Sequence, residues 1–233
     1  MASNNVTCIA ERSACVLRAT RLGSDCTPLT GSTDGALTTA IATINLSPDV
    51  EEGTRYEPKD ACGRILYSAS DPDIVKRYNI TIDLHMVDFE LYELLTDGSL
   101  LMGKTGTDWE NKVVGVSAPG ATTTQGYGVG LEIWTKTASN TGVCGPADTN
   151  PPYIRHVLPR VLLRPADRTF EGAPATNSFA GTAEANLSWD EGPWGDWVPE
   201  EPMPADSPWV RFYDSLVPTV ECGFVTPGSG SGS

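Results

Sequence analysis

The hydrophobic rhythm of residues 76–98, KRYNITIDLHMVDFELYELLTDG, changes halfway along, and this change constrains the fold more than any other feature. In residues 78–86 apolar side chains alternate with polar ones, which is the period of a strand with one buried and one exposed face. In residues 89–95 the apolar positions recur every three to four residues, which is the period of a helix. The segment therefore predicts a strand that leads directly into one short helix.

The predicted helix spans about residues 88–97 and is too short to be stable without tertiary packing. Asp88 can cap its N-terminus, and Gly98 can adopt the left-handed conformation that often follows a helix C-terminus. The apolar face of the helix should pack on a sheet through Phe89, Leu91 and Leu95.

The rest of the sequence favours strands and turns, because 18 prolines and 23 glycines occur largely in clusters that long helices do not tolerate. Residues 47–63 predict a long loop or an extended hairpin. We expect a mainly β fold, a sandwich or barrel, with one short flanking α-helix. The pattern indicates roughly nine strands, among them residues 15–22, 36–46, 64–70, 109–118, 127–137, 153–165 (broken by Pro159) and 177–189.

The net charge of −14 argues against a protein that holds nucleic acid tightly, because an acidic surface repels the phosphate backbone. The charge suits a surface along which DNA passes without sticking. It suits equally well a surface whose acidity serves solubility.

The six cysteines show no CxxC spacing, so the sequence encodes neither a zinc ribbon nor a redox motif. The first residues lack the basic start and apolar core of a secretory signal, and no apolar run is long enough to span a membrane. We therefore expect free, buried thiols in a protein made in a reducing cytoplasm.

Two segments could carry chemistry. Asp83 and His85 share one strand face, as a base and its orienting carboxylate would, but no nucleophile motif accompanies them. Residues 188–206, SWDEGPWGDWVPEEPMPAD, combine tryptophans with carboxylates that could bind or cleave a sugar, or hold calcium. The simpler interpretation is a rigid loop whose tryptophans dock on the domain or on a neighbouring subunit.

A basic strip is predicted in residues 153–168. Such a strip could bind nucleic acid, or it could dock on an acidic patch of another copy of the chain, for which residues 188–206 are the candidate. We favour the second interpretation, which implies head-to-tail self-assembly. The strip consists of Arg155, Arg160, Arg164 and Arg168.

Three segments in a fixed order carry a resemblance to a known family. The first is residues 46–98, with SPDVEEG, a CG strand, a DPD turn and the strand–helix unit; the others are GYGVGLEIWTK at 126–136 and FAGTAEANLSWDEGPWGDW at 179–197. Together they resemble the major tail protein, or tail tube protein, of long-tailed, non-contractile phages that infect actinobacteria. The match covers residues 46–197.

The resemblance implies a single tail-tube-like β domain over residues 1–225, with an N-terminal arm and a C-terminal extension, followed by a flexible Gly/Ser tail at 226–233. Six subunits would form a ring, and rings would stack into a hollow tube through which double-stranded DNA is ejected. Partners would be the chain itself and tape-measure, tail-tip and tail-terminator proteins. The protein would be made in the bacterial host cytoplasm and reside in the virion, without a membrane. No catalytic, cofactor or metal site is expected.

In this family a long loop between early strands commonly becomes ordered when rings stack, which implies inter-subunit contacts for residues 47–62. Two alternatives to a tail tube stay open. One is a carbohydrate-binding or glycan-cleaving β-sandwich that uses residues 188–206; the other is a different virion component, such as a decoration or tail-terminator protein. The residues that the resemblance assigns to ring contacts are Glu51, Glu52, Arg55, Tyr56, Lys59 and Asp60.

Overall fold

The computed structural model describes residues 10–86, 88–120, 126–138, 152–166, 176–218 and 223–227. The predicted N-terminal arm before residue 10 and the Gly/Ser tail beyond residue 227 lie outside the described residues. So do Arg168 and three of the six cysteines, Cys8, Cys144 and Cys222.

The described residues form thirteen strands and one α-helix. In chain order these are β1 Ala10–Arg21, β2 Gly35–Thr38, β3 Ile41–Glu51, β4 Arg55–Tyr56, β5 Ala69–Ser70, β6 Ile74–Leu84, α1 Phe89–Thr96, β7 Ser99–Met102, β8 Val113–Ser117, β9 Val129–Ala138, β10 Tyr153–Pro165, β11 Asn177–Glu184, β12 Val210–Asp214 and β13 Gly223–Val225.

Nine strands form one large antiparallel sheet in the order β13-β2-β1-β9-β10-β11-β6-β3, with β12 paired to β10 beside this path. Two small hairpins, β4-β5 and β7-β8, stand apart from the sheet. The prediction of a mainly β protein with one short helix is confirmed. The described strands do not close a barrel: β1 and β3 line a common groove of about 370 Å³ without pairing.

Strand β10 is the centre of the sheet and runs unbroken through Pro159, where the sequence predicted a break. One edge pairs with β9, whose register shifts between Leu158 and Val161. The other edge pairs with β12 up to Val157 and with β11 from Arg160 onward. Because Pro159 falls between these partners and within the register shift, its missing N–H costs the sheet no regular hydrogen bond.

The predicted helix is confirmed as α1, and Asp88 caps it by accepting hydrogen bonds from the backbone N–H groups of Glu90 and Leu91. The predicted left-handed residue is one position too late. Asp97, with φ of 55°, takes the C-terminal position instead of Gly98. Gly98 serves close approach, since a Cβ there would lie 2.6 Å from the carbonyl oxygen of Ser117.

The core lies between the inner face of the sheet and α1. Strand β6 shows the predicted alternation of buried and exposed residues, and its buried side chains share one cluster with the buried leucines of α1. Each such side chain contributes about 1.5–3 kcal/mol when fully buried. These residues are Ile80, Ile82, Leu84, Leu91, Leu94 and Leu95.

Two predicted strands differ from the structure. Residues 36–46 divide between β2 and β3, because the chain leaves β1 at Thr38 and pairs with β6 from Ile41. Residues 64–70 contribute only the two-residue strand β5. The helix described here is neither long nor apolar enough to cross a membrane.

The described cysteines are free, as predicted, but none is buried. Cys15 and Cys26 are half-buried, and Cys62 is exposed. The prediction of buried thiols is therefore wrong for these three.

Candidate assembly surface

The most unusual feature of the surface is a hairpin that extends from the sheet, formed by residues 50–77 and called the arm below. It comprises the end of β3, the small hairpin β4-β5 and the start of β6. None of its 28 residues, all of which are described, is buried. Residues 47–63, predicted as a long loop or an extended hairpin, form only the first half of a longer hairpin, because they pair with residues 65–79 and not with one another.

Polar contacts hold the arm together without a core. Near its base the N–H of Gly53 donates to Asp73 at 2.8 Å, and Lys76 pairs with Glu51 at 2.7 Å. At its tip the carboxylate of Asp60 accepts two backbone N–H groups, from Cys62 and Arg64. An isolated two-stranded hairpin without a buried face is marginally stable in water. The arm therefore has a defined shape but little hydrophobic stabilisation.

Exposed apolar side chains concentrate on this arm. It holds seven of the seventeen large hydrophobic side chains that are exposed among the described residues. Single exposed hydrophobics are normal, but a group of them on one projecting element is typical of an interaction site. The seven are Val50, Tyr56, Ile65, Leu66, Tyr67, Ile74 and Val75.

The six residues that the resemblance assigned to ring contacts all lie on the arm. Five are exposed and Asp60 is half-buried, since its carboxylate organises the tip. Arg55 pairs with Glu57 at 2.5 Å, and Tyr56 exposes half of its surface. The structure thus groups Glu51, Glu52, Arg55, Tyr56, Lys59 and Asp60 on one projecting element; their contacts with another subunit stay a prediction.

Sequence reasoning missed the apolar tip of the arm. Ile65, Leu66 and Tyr67 were interpreted as part of an ordinary strand, whereas all three are exposed. A signal was available in the sequence: three consecutive large apolar residues cannot all face one core from a strand, because successive side chains point to opposite sides.

A second exposed apolar element is the hairpin of residues 99–117, formed by β7 and β8 and called the short hairpin below. Trp109 at its turn is 61% exposed, and Lys112 lies 5.8 Å from the centre of its ring. The hairpin is ordered, since the N–H of Gly106 donates to Glu110 and the N–H of Gly103 to the carbonyl of Lys112.

A cleft of about 600 Å³ opens between the short hairpin and the start of α1. Phe89 was predicted to pack on the sheet, but it is half-buried and lines this cleft. The buried leucines of α1 are Leu91, Leu94 and Leu95. The other apolar side chains of the cleft are Met102, Trp109, Val113 and Val114.

The two hairpins are nearly neutral, although the chain is strongly acidic. The arm carries six acidic and five basic side chains, and the short hairpin carries two of each. Together they account for −1 of the net charge of −14, so −13 resides on the remainder of the chain. Contacts through the hairpins therefore meet less like-charge repulsion between copies than contacts elsewhere.

The connection of residues 185–209, called the Trp-rich loop below, buries two of its large apolar side chains, whereas the two hairpins expose theirs. Trp189 is 1% exposed and lies flat against β9, where a Cβ at Gly130 would be 1.9 Å from its ring. Trp194 is also buried, and its indole N–H donates to the hydroxyl of Thr20 at 2.9 Å. The favoured interpretation, a rigid loop with tryptophans docked on the domain, is confirmed.

An ion network of three buried side chains and one partly exposed carboxylate, that of Asp196 at 41% exposure, fastens this loop to the sheet. Glu132 of β9 lies between Arg18 of β1 and Arg155 of β10, and accepts hydrogen bonds from both. Asp196 of the Trp-rich loop completes the network, accepting from Arg18 at 2.7 Å and from Arg155 at 2.9 Å. Arg18 also lies over the ring of Trp194, 4.2 Å from its centre.

The network keeps Asp196 ionised. Burial opposes its charged form, but the hydrogen bonds and positive charge of Arg18, with those of Arg155, outweigh burial and hold the pKa of Asp196 below its ordinary value near 3.8. At neutral pH the loop is therefore fastened by a charged carboxylate.

The structure places only part of the predicted basic strip on the surface. Arg155 is buried in the ion network, where it binds the acidic loop of its own chain. Arg160 pairs with Glu184 at 3.3 Å, and Arg164 is exposed. The predicted partner of the strip was residues 188–206 of another copy, but the contact at Arg155 forms within one chain.

The predicted pairing of Asp83 with His85 is replaced by other contacts. Asp83 accepts hydrogen bonds from the hydroxyls of Thr43 and Ser178 on its two neighbouring strands. His85 is exposed in the bend after β6. Among the described residues, no group of three or more histidine, cysteine or acidic side chains could hold a metal ion.

The second histidine forms a buried junction that sequence reasoning did not identify. His156 Nε2 lies 2.6 Å from a carboxylate oxygen of Glu11, and the indole N–H of Trp209 donates to Nδ1 at 3.3 Å. Because Nδ1 accepts, Nε2 carries the proton and donates to Glu11. Burial lowers the pKa of His156, Glu11 opposes this, and the positive charge of Arg211 adds to the lowering.

Comparison with family models and with curated proteins identifies no relative of this chain. No protein-family model matches the chain, and the search of curated proteins gives no match. The functional interpretation therefore depends on the residues and the geometry described above.

Proposed function

We propose that this chain is a structural virion protein, a tail tube subunit that forms rings and stacks into the hollow tube through which phage DNA is ejected. The observation that carries the proposal is the arm, an ordered projecting hairpin whose large apolar side chains are left exposed by the described part of the chain. A subunit whose role is to bind its neighbours needs such an element, whereas a monomeric protein loses solubility by exposing it.

The position of the arm agrees with the resemblance. The family's ring-contact loop corresponds to residues 47–62, and the structure places most of this segment on the projecting hairpin. The mainly β fold with a helix packed on one sheet face also suits a tail tube subunit. The ring, its six-fold symmetry and the continuous inner barrel belong to the proposal.

The charge gives the tube a mechanism for DNA passage. Nearly all of the negative charge lies outside the two hairpins. If part of it lines the lumen in every ring, the wall repels the duplex from all sides and DNA slides without adhering. We expect lysine in place of lumen carboxylates to slow DNA ejection while tubes still assemble; unimpaired ejection would contradict this mechanism.

Negative-stain electron microscopy of the purified protein, before and after concentration, tests the proposal. We expect stacked rings that lengthen into hollow tubes as concentration rises. Uniform small particles at every concentration, also after addition of tail-tip proteins that could initiate assembly, would overturn the tube function. Rings or trimers that never elongate would favour a decoration or terminator protein.

The carbohydrate-binding alternative has one supporting feature, the carboxylates of residues 188–206. The tryptophans give this alternative little support, because Trp189 and Trp194 pack against the sheet and have little exposed surface to stack on a sugar ring. A rise in melting temperature with oligosaccharides, without assembly, would favour this alternative.

A further inference from the structure

We propose that the apolar tip of the arm of one copy inserts into the cleft between the short hairpin and α1 of a second copy. The inference rests on the proposed function and specifies which two surfaces meet. The tip is formed by Ile65, Leu66 and Tyr67, of which Leu66 is 66% exposed. The cleft is lined by Phe89, Met102, Trp109, Val113 and Val114.

The two surfaces match in chemistry and in size. Both present large apolar side chains, and together the two hairpins hold eleven of the seventeen exposed large hydrophobics among the described residues. The cleft, at about 600 Å³, lies within the range of about 300–1,000 Å³ that is usual for binding pockets. Aliphatic and aromatic anchors that enter such pockets provide most of the energy of typical interfaces.

Charge favours the same pairing. A contact between the arm and the short hairpin joins elements with net charges of −1 and 0, whereas the rest of the chain carries −13. Such a contact therefore adds little like-charge repulsion between two acidic copies. Near neutrality at the contact is what a strongly acidic subunit needs for self-association.

The pairing also predicts the symmetry of assembly. Among the described residues of a single chain, the tip does not cover the cleft, and we assign the occupant of the cleft to another copy. Unless two copies exchange their tips about a two-fold axis and close as a dimer, the contact is heterologous and repeats until it closes a ring or continues as a fibre. Stacked rings use such contacts from one ring to the next.

Thiol crosslinking tests the inference and can use a natural cysteine of the arm. Cys62 is exposed at the tip of the arm, and Lys104 lines the cleft. With a short bismaleimide under assembly conditions, we expect Lys104→Cys to give covalent oligomers, and Cys62→Ser in the same chain to abolish them. Leu187→Cys is the matched control, because Leu187 is 83% exposed but lies outside both hairpins.

Each outcome decides between the inference and the function it rests on. If tubes form but Lys104→Cys gives no more crosslinked product than Leu187→Cys, the inference is overturned, because the tip of the arm then does not lie in the cleft. The tube function would remain intact in that case. An equal Cys62-dependent product in the unchanged chain would show that Cys62 meets one of the native cysteines and not position 104, and would also overturn the inference. The expected product in oligomers that never elongate would support the arm–cleft contact and overturn the tube function.

Discussion

The Trp-rich loop and the arm are both long, charged excursions between strands of one sheet, and they place their apolar side chains oppositely. The loop turns Trp189 and Trp194 onto the sheet and fastens itself through Asp196 to two buried arginines. The arm makes comparable polar contacts within itself, at Asp60 and Asp73, but buries none of its residues. Hydrogen bonds thus shape both regions, whereas only one of them contains hydrophobic packing.

The difference teaches what each region is able to do. A loop with buried tryptophans and a largely buried ion network is part of the fold, and its loss should be measured as lost stability. An arm without a buried residue adds little to the stability of one chain, and its loss should be measured as lost association. Substitutions in the two regions test whether the loop contributes to stability and the arm to association. The largest effect on stability or assembly is considered first and the smallest last.

The largest effect is expected at the ion network. Glu132→Gln removes the carboxylate that the buried Arg18 and Arg155 share, and leaves them with Asp196 and, for Arg155, with Asp214 at 3.8 Å. Breaking a buried pair in this way costs about 3–5 kcal/mol. Urea unfolding at pH 7 measures the loss. The matched change on the arm is Glu51→Gln, which removes an exposed ion pair with Lys76 and should cost about 0–1 kcal/mol. Equal losses for the two variants would contradict this difference between the loop and the arm.

A loss of similar order is expected from the packed aromatic side chain of the loop. Trp189→Ala removes a ring that is 1% exposed, for which a cost of about 3–5 kcal/mol is typical. Tyr67→Ala on the arm removes an exposed ring and should change the free energy of unfolding by less than about 0.5 kcal/mol. Thermal unfolding of both variants provides the comparison; a large loss for Tyr67→Ala would show that the arm packs within its own chain.

A small effect on stability but a large one on assembly is expected at the arm tip. Leu66→Asp places a charge where an apolar contact with a second copy is proposed, so the melting temperature should stay near that of the unchanged chain while tubes fail to form. Light scattering during concentration measures assembly. Leu187→Asp, at a side chain even more exposed but outside the hairpins, should assemble normally. Failure of both variants would point to charge alone as the cause.

The smallest effect is expected at His156, where the folded state disfavours protonation because burial lowers the pKa. The unfolded chain then binds more protons as pH falls through the ordinary histidine value of about 6.5. Stability from this group is complete above that pH and decreases below it. Urea midpoints at pH 7.5 and 5.5 should differ less in His156→Gln than in the unchanged chain. His85→Gln is the control and should retain the difference.

The sequence predicted best where structure is local. The strand–helix unit of residues 76–98 is confirmed, because a change of period and a capping aspartate lie within a few positions of one another. The predicted strand 78–86 corresponds to β6, Ile74–Leu84, and the predicted helix 88–97 to α1, Phe89–Thr96. The ion network could not be predicted, because Arg18 and Asp196 are 178 positions apart. The sequence around either residue contains no pattern that identifies the other as its partner.

The exposed tip of the arm shows a second limit. Residues 64–70 predict a strand. The run of three large apolar residues at 65–67 indicates that such a strand cannot bury all of them in one core, but the local sequence does not distinguish a strand within the sheet from one that projects beyond it. That distinction depends on where β3 and β6 end their contact with the sheet. The six residues predicted for ring contacts lie together on the arm because they are close in sequence, and their contacts with another subunit stay a prediction.

The close contact between Trp189 and Gly130 has an evolutionary consequence. Since even a methyl group at position 130 would overlap the indole ring, neither position can drift alone without a loss of packing. In divergent descendants of this chain, a larger residue at position 130 should appear together with a smaller one at position 189. The two positions would then form a covarying pair, although 59 positions separate them in the sequence.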